Sequence, residues 1–103
     1  MKRGEIRWYK FKAPDKKRPV LILTRDSILE YLGEVTVAPI TTTVRDIPSE
    51  VFLSKQDGMI KDCAINFDHI QTILKEKIGS LITTLPTDKL KKVSDAIQFA
   101  LNL

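Results

Sequence analysis

The stretch Pro19-Val20-Leu21-Ile22-Leu23 decides the fold class. It is a short, continuous apolar run that is rich in branched side chains. Such a run is too short to form a helix in isolation and is typical of a strand that is buried on both faces. We therefore predict that residues 19–23 form a central strand of a sheet.

The flanking segments predict further short strands. Residues 5–11 form a strand and residues 13–17 a polar loop, so the first two strands make a hairpin. Residues 34–40 form the next strand, which Pro39 should end or bulge because proline donates no hydrogen bond to a ladder. This releases the loop 41–46, where we expect chemistry. Further strands are predicted at residues 51–53 and 78–85. Residues 62–74 are predicted to form a strand pair or one bent strand, and residues 56–58 a turn.

Two helices complete the predicted architecture. A short one begins near Asp26 and is closed by Gly33, which tolerates a positive φ at the C′ position. Thr87 caps the second, C-terminal helix. Its apolar residues recur at helical spacing and should pack on the sheet: Leu90, Val93, Ala96, Ile97, Ala100 and Leu101. The fold class is therefore mostly β (α+β), a small, strongly bent antiparallel barrel within a single domain, residues 1–103.

Composition excludes several classes of function. The chain has one cysteine and one histidine, so it offers neither an internal disulfide nor a Cys/His zinc site. Its carboxylates are scattered, without a pair at helical spacing typical of a two-metal nuclease, so we predict no metal and no cofactor. Since the sequence contains no apolar run of about 18 residues, we predict a cytoplasmic protein with no membrane partner.

Charge is concentrated at the N-terminus. The first 18 residues carry eight Lys/Arg and two acids, a net charge of +6, whereas the other 85 residues carry a net charge of −2. This asymmetry predicts a surface that faces a polyanion. Aromatic residues are interleaved with these cations, as on a single-stranded nucleic-acid surface: Trp8, Tyr9 and Phe11 alternate with Arg7, Lys10 and Lys12.

Trp8 has two interpretations. An indole among cations could stack on bases. Strand alternation, however, places Trp8 on the same face as Ile6, which favours burial in the core. We predict core burial for Trp8.

Four segments in this order resemble the MazF/PemK family of toxins over nearly the whole chain. They are Lys2-Arg3-Gly4-Glu5-Ile6, Arg18-Pro19-Val20-Leu21-Ile22, Val37-Ala38-Pro39-Ile40-Thr41-Thr42 and Asp68-His69-Ile70-Gln71-Thr72-Ile73, followed by the C-terminal helix. The resemblance implies an SH3-like barrel of the MazF/CcdB/Kid kind and a homodimer. It also implies sequence-specific, metal-independent cleavage of single-stranded mRNA, with inhibition by a cognate MazE-like antitoxin.

The resemblance carries two catalytic residues over by direct motif match, Arg18 and Thr41. Asp68 falls where Kid-like members keep an acid with a mechanistic role. Gln71 stands where many members have Arg or Lys. We assign RNA binding to the basic segment and to the polar loop residues: Arg3, Lys16, Lys17, Thr42, Thr43 and Gln71.

The chemistry of metal-free RNA cleavage suits these side chains. The 2′-OH attacks the adjacent phosphorus in line, which leaves a 2′,3′-cyclic phosphate and a 5′-OH. Arg18 binds two phosphate oxygens and stabilises the charge of the phosphorane, but its pKa is too high for proton donation. Thr41 either orients the 2′-OH or a phosphate oxygen, or is simply a turn residue.

General acid–base catalysis has two candidates. His69 is the only side chain whose ordinary pKa lies near neutrality. A lone histidine is weak evidence, so we favour RNA binding or structure over catalysis for it, and Asp68 has the same ambiguity. Cys63 is predicted to be a small buried residue and not a nucleophile.

Two other functions compete with the nuclease. A catalytically inert, CcdB-like toxin would share the barrel and bind a protein target. A plain RNA-binding barrel would need only the basic face. Arg18 and Thr41 favour the endoribonuclease over both.

Overall fold

The computed structural model describes residues 1–10 and 17–103, so residues 13–16 of the predicted loop and the RNA-binding assignment of Lys16 lie outside the described residues. Lys17, predicted as the last loop residue, is instead the first residue of a strand. Strands are the commonest regular structure in the described part, which also has two α-helices. The strands are β1 (Glu5–Lys10), β2 (Lys17–Ile22), β3 (Glu34–Thr41), β4 (Glu50–Leu53), β5 (Cys63–Asn66), β6 (Gln71–Leu74) and β7 (Ile78–Thr84). The helices are α1 (Asp26–Leu29) and α2 (Thr87–Leu101).

The strands form one bent antiparallel sheet. Their order is β4-β5-β3-β2-β1-β7, with β6 paired to the first half of β3. The β1–β7 pairing shifts register twice around Arg7, and such irregularities increase local twist and help a sheet to curl. The predicted class, a mostly antiparallel barrel with a short helix and a C-terminal helix, is confirmed.

β2 is buried on both faces, as its apolar run predicts. Leu21 packs in one core cluster with Ile6 and with Val93 of α2. Val20 and Ile22 pack in a second cluster on the other face. All three β2 residues are fully buried, because α2 covers one side of the sheet and the turn around α1 covers the other.

Pro39 does not end or bulge β3. The strand continues to Thr41, and Pro39 stands opposite Val20 of β2. On its other edge, β3 pairs with β6 through residues 34–37 and with β5 through Ile40 and Thr41. Pro39 lies between these two pairings, so its missing N–H removes no hydrogen bond to β5 or to β6. The proline therefore marks a change of partner along one continuous strand.

Both predicted helix caps are wrong in detail. Helix α1 is only four residues long and ends before Gly33, whose φ is not positive. Helix α2 begins at Thr87 itself, with Pro86 at the N-cap and no side-chain cap. The helix therefore begins one residue earlier than a Thr87 cap would place it, and Pro86 precedes its first residue.

The apolar stripe of α2 packs on the sheet as predicted, except at its end. Val93 and Ala96 are buried, and Leu90, Ile97 and Ala100 pack against them. Leu101 is 56% exposed. Among the described residues, no helix is long and apolar enough to cross a membrane.

Candidate active site

A groove of about 560 Å³ lies at the start of β2. Such a volume falls within the range of about 300–1,000 Å³ that is common for small-molecule sites. The groove is lined by Trp8, Lys17, Arg18, Pro19, Ile40, Thr41, Thr42, Met59, Ile60, Lys61, Cys63 and Ile82. It therefore brings together four predicted site residues: Arg18, Thr41, Lys17 and Thr42.

The β2–β3 register explains why Arg18 and Thr41 meet. In this antiparallel pair Val20 stands opposite Pro39. The paired residues end there, but the same register continued by two residues along each strand leads to Arg18 and Thr41, and both residues line the groove. Arg18 is exposed and Thr41 is half-buried. Two motifs that are 23 positions apart thus present a guanidinium and a hydroxyl at one rim.

The Thr41 hydroxyl is held in place by the loop that follows it. The Thr43 backbone N–H donates to Thr41 Oγ1 over 3.1 Å. This uses an acceptor site of the hydroxyl and leaves its own hydrogen available to donate. Thr43 supports Thr41 through its backbone, whereas Thr42 lines the groove directly.

Trp8 is not in the core, which corrects the prediction. Ile6 is fully buried, but Trp8, two residues further along the same strand face, is half-buried and lines the groove. The Lys17 ammonium lies 5.7 Å from the centroid of the indole ring, within the range of a cation–π contact. Trp8 lies on the same face of β1 as Ile6, as predicted. The buried core ends between these two residues, however, so Trp8 lies at the mouth of the barrel.

The groove is cationic. Lys17, Arg18 and Lys61 line it, and none of the lining residues that the structure describes is acidic. A second groove, of about 430 Å³ between β4 and α2, differs in this respect because Lys89 and Lys92 share it with Glu50 and Asp95. It contains none of the predicted site residues.

Asp68 and His69 lie outside the cationic groove. They belong to a short 3₁₀ turn, Phe67–His69, that follows β5. Ser49 Oγ donates to Asp68 Oδ2 over 2.7 Å, and Asn66 Nδ2 lies 3.3 Å from His69 Nδ1. Because the amide nitrogen is a donor, this contact favours the His69 tautomer with its proton on Nε2. On β5, Asn66 is three residues, or about 10 Å, from Cys63, which lines the groove. The turn that holds Asp68 and His69 begins just beyond Asn66 and is therefore separate from the groove.

Gln71 and Arg3 also lie away from the groove. Gln71 pairs with Val37, four residues along β3 from Thr41, which corresponds to about 13 Å. Arg3 donates from its backbone N–H to Asp26 Oδ1 over 2.7 Å and from Nε to the Leu23 carbonyl over 3.1 Å. These contacts hold Arg3 against the turn between β2 and α1, at the end of β2 that is away from the groove. The groove and these two residues are thus separate features of the monomer.

Cys63 is buried, as predicted, although it lines the groove. Burial, followed by the nearby charges of Asp62 and Asp57, raises the pKa of its thiol. The thiol therefore stays protonated near neutral pH and is a poor nucleophile. Within residues 1–10 and 17–103, no three His, Cys, Asp or Glu side chains are grouped so that they could hold a metal ion.

The segment 58–61 and Ile82 were not predicted as site residues. Met59, Ile60 and Lys61 line the groove from a connection that carries no motif. Gly58, with a φ of +94°, lies against Thr83 of β7 and so brings this connection across the barrel mouth. Only the charge of Lys61 and the 80% exposure of Ile60 mark the segment, and the exposure is visible only in the fold.

The chain matches, over residues 2–101, the family model described as PemK-like, MazF-like toxin of type II toxin-antitoxin system. It therefore belongs to this family of toxins, and the predicted family is confirmed. Its curated relatives are endoribonucleases, which confirms the predicted enzyme class.

Two relatives and two solved structures illustrate the similarity. The probable endoribonuclease MazF2 of Mycobacterium tuberculosis H37Rv is 34% identical over 99 residues and covers 95% of each chain. The endoribonuclease MazF3 of the same organism is 40% identical over 89 residues and covers 86% of each. The structure of M. tuberculosis toxin MazF-mt6 has a TM-score of 0.88 and 37% identity, covering 96% of this chain and 97% of that one.

A mycobacterial endoribonuclease in complex with its cognate antitoxin has a TM-score of 0.88, with 24% identity. It covers 100% of this chain and 96% of that one. This similarity supports the fold.

Proposed function

We propose that residues 1–103 form a single-domain toxin that cuts single-stranded mRNA at specific sequences without a metal ion. The proposed products carry a 2′,3′-cyclic phosphate and a 5′-OH. The observation that carries this proposal is the meeting of Arg18 and Thr41 at one rim of a cationic groove, in a chain of the MazF-like family.

Arg18 has the electrostatic role in this reaction. Its guanidinium is exposed at the groove and can bind two non-bridging phosphate oxygens. Charge on these oxygens increases as the 2′-oxygen attacks, so the contact is stronger in the transition state than in the ground state. Lys17 and Lys61 add attraction for the neighbouring phosphates.

Thr41 has the orienting role. With its oxygen already accepting from the Thr43 N–H, its hydroxyl hydrogen is free to donate to a phosphate oxygen or to the attacking 2′-oxygen. Such a contact fixes the in-line geometry, which is a large part of what an enzyme supplies in a cleavage without a covalent intermediate.

Asp68 and His69 remain predicted RNA-binding or acid–base residues, with Arg3 and Gln71 as predicted RNA contacts. Their separation from Arg18 within the monomer supports binding of a more distant part of the RNA over proton transfer at the scissile phosphate. A general base must come within hydrogen-bond reach of the proton that it removes.

We further propose a cognate antitoxin, MazE-like, as the inhibitor. The groove holds three cations and no acid among the residues described, so an extended acidic segment would compete directly with RNA there. The proposed functional unit is a homodimer. It would act in the cytoplasm, where its mRNA substrate is found.

The test is an RNA-cleavage assay in excess EDTA. A defined single-stranded RNA is incubated with the wild-type protein and with Arg18→Ala, and the ends of any products are mapped chemically. We expect discrete cuts with cyclic-phosphate and 5′-OH ends, and a rate about 10²–10³-fold lower in the variant, as for removal of one oxyanion donor.

Arg25→Ala is the matched control. Arg25 is an exposed arginine beside α1 that does not line the groove, so its removal should leave the rate unchanged. Intact RNA across varied sequences would favour a CcdB-like protein-binding toxin. Binding without cleavage would favour a plain RNA-binding barrel, and cuts that survive Arg18→Ala would refute the role of Arg18.

A further inference from the structure

The geometry of the groove points to Trp8 as the platform on which one RNA base stacks beside the phosphate held by Arg18. This inference rests on the proposed function and names an RNA contact inside the same groove. It concerns a residue for which the sequence favoured burial in the core.

The register places Trp8 next to the proposed phosphate site. Trp8 stands opposite Pro19, the neighbour of Arg18 on β2. Alternation along the strands turns the Trp8 side chain to the opposite face of the sheet from the Arg18 side chain, yet both residues line the groove. A nucleotide in the groove can therefore contact both residues.

The surroundings of Trp8 suit a flat, largely apolar ligand that carries negative charge at one edge. Pro19, Ile40, Met59 and Ile82 provide apolar walls, with Ile60 exposed at the rim. Cations line the same groove, which is the combination of aromatic ring and positive charge used to bind single strands.

Lys17 links the ring to the phosphate backbone. Its ammonium lies 5.7 Å from the indole centroid, so the cation–π contact orients both side chains before RNA arrives. A base stacked on the indole would have its phosphate within reach of Lys17 and Arg18. A base therefore stacks either on the ring face that the ammonium leaves open or by displacing the ammonium toward the phosphates.

The experiment uses the fact that Trp8 is the only tryptophan in the chain. The cleavage site is first mapped on a long RNA, and a 2′-O-methyl oligonucleotide of that sequence, which cannot be cut, is then titrated onto the wild-type protein. Indole emission is followed in parallel with the anisotropy of a dye on the oligonucleotide. We expect the emission to be quenched with the same Kd that the anisotropy gives.

Variants then separate stacking from apolar bulk. Trp8→Leu keeps an apolar side chain at the mouth but removes the ring, and should raise the Kd about 5- to 150-fold, which corresponds to ~1–3 kcal/mol of stacking. Trp8→Phe should recover most of the affinity. Tyr31→Leu removes an aromatic ring that is 76% exposed and distant from the groove, and should leave the Kd unchanged.

Circular dichroism checks that each variant is folded. An unchanged Kd in Trp8→Leu, or saturating anisotropy without a change in indole emission, would overturn the inference. If no long RNA is cut, the proposed nuclease fails, and a pool of 2′-O-methyl oligonucleotides of random sequence is titrated instead. Quenching of the indole by that pool would keep the stacking role. If RNA neither binds nor is cut, both fail.

Discussion

At the scale of single residues, Thr41 shows how little separates a turn residue from a catalytic one. Its oxygen accepts the Thr43 N–H over 3.1 Å, as in many turns, yet Thr41 also lines the same groove as Arg18. A turn role needs only the acceptor, whereas the proposed reaction needs the donor as well. A substitution that keeps the shape but removes the hydroxyl separates the two.

We expect Thr41→Val to lower kcat for RNA cleavage by about 10²-fold or more, in the range found for loss of one transition-state hydrogen bond. Thr41→Ser keeps the hydroxyl and should stay within a few fold of wild type. Steady-state cleavage of a short RNA gives both values. Equal rates for the valine and serine variants would show that Thr41 acts only in the turn.

Glu5 is a second residue with a clear energetic role, in this case in stability. Its carboxylate accepts from Arg7 Nε over 2.8 Å and from the Lys2 N–H over 3.1 Å. Burial alone would raise the pKa of Glu5, but these hydrogen bonds outweigh it and hold the pKa below its usual value. The charged form is therefore favoured by folding.

We expect Glu5→Gln to lower the free energy of unfolding by about 1–3 kcal/mol at pH 7. A carboxyl whose pKa is lowered in the folded state contributes stability above its unfolded pKa of about 4.3 and loses it as the pH falls through the folded value. The difference between wild type and variant should thus narrow below about pH 4. Urea titrations at pH 7 and pH 3 measure this difference in the free energy of unfolding.

Glu76→Gln serves as the control for Glu5, because Glu76 is exposed and should contribute little at either pH. A difference for Glu5→Gln that stays constant between pH 7 and pH 3 would show that its carboxylate charge is not what stabilises the fold.

At the scale of elements, the connection from β4 to β5 shapes the groove although it has no regular structure after its 3₁₀ turn, Lys55–Asp57. Gly58 ends that turn with a φ of +94°, and a Cβ there would clash with Thr83 Oγ1. Only glycine therefore allows the connection to lie on β7 and to carry Met59, Ile60 and Lys61 to the groove.

We expect Gly58→Ala to lower the free energy of unfolding by about 2–4 kcal/mol, from the left-handed backbone together with the clash. Gly33→Ala is the matched control, because Gly33 has no positive φ and open space around its Cα, and should be neutral or slightly stabilising. Thermal and urea unfolding compare them. Similar stabilities for the two variants would contradict this account of Gly58.

The helices and β3 show which element boundaries a local pattern can predict. The apolar spacing of α2 and the double burial of β2 follow from side-chain periodicity alone. The continuation of β3 through Pro39 does not, because it depends on where β6 ends and β5 begins along the other edge of the strand.

At the scale of the whole molecule, the basic N-terminal segment supplies only part of the positive charge of the groove. Lys17 and Arg18 come from the basic N-terminal segment, whereas Lys61 comes from the connection between β4 and β5. Other basic residues of the first segment have structural roles, as Arg3 and Arg7 do.

We expect RNA binding to weaken with salt, with a slope of log K against log[salt] of about −2 if three phosphates are neutralised. Lys61→Gln should reduce the steepness of the slope by about 0.7. Lys91→Gln, on the exposed side of α2, should not change it. Anisotropy titrations at several salt concentrations measure these slopes, and equal slopes for both variants would exclude Lys61 from the RNA path.

The sequence by itself determined the strands, the long helix, the burial of β2 on both faces and the family, because these depend on neighbouring residues and short motifs. Only the tertiary structure decided that Arg18 and Thr41 line one groove, that Trp8 lines it too, and that residues 59–61 complete it. These features depend on strand register and on the curl of the sheet, which join residues that lie tens of positions apart, and local side-chain patterns carry no information about such distances.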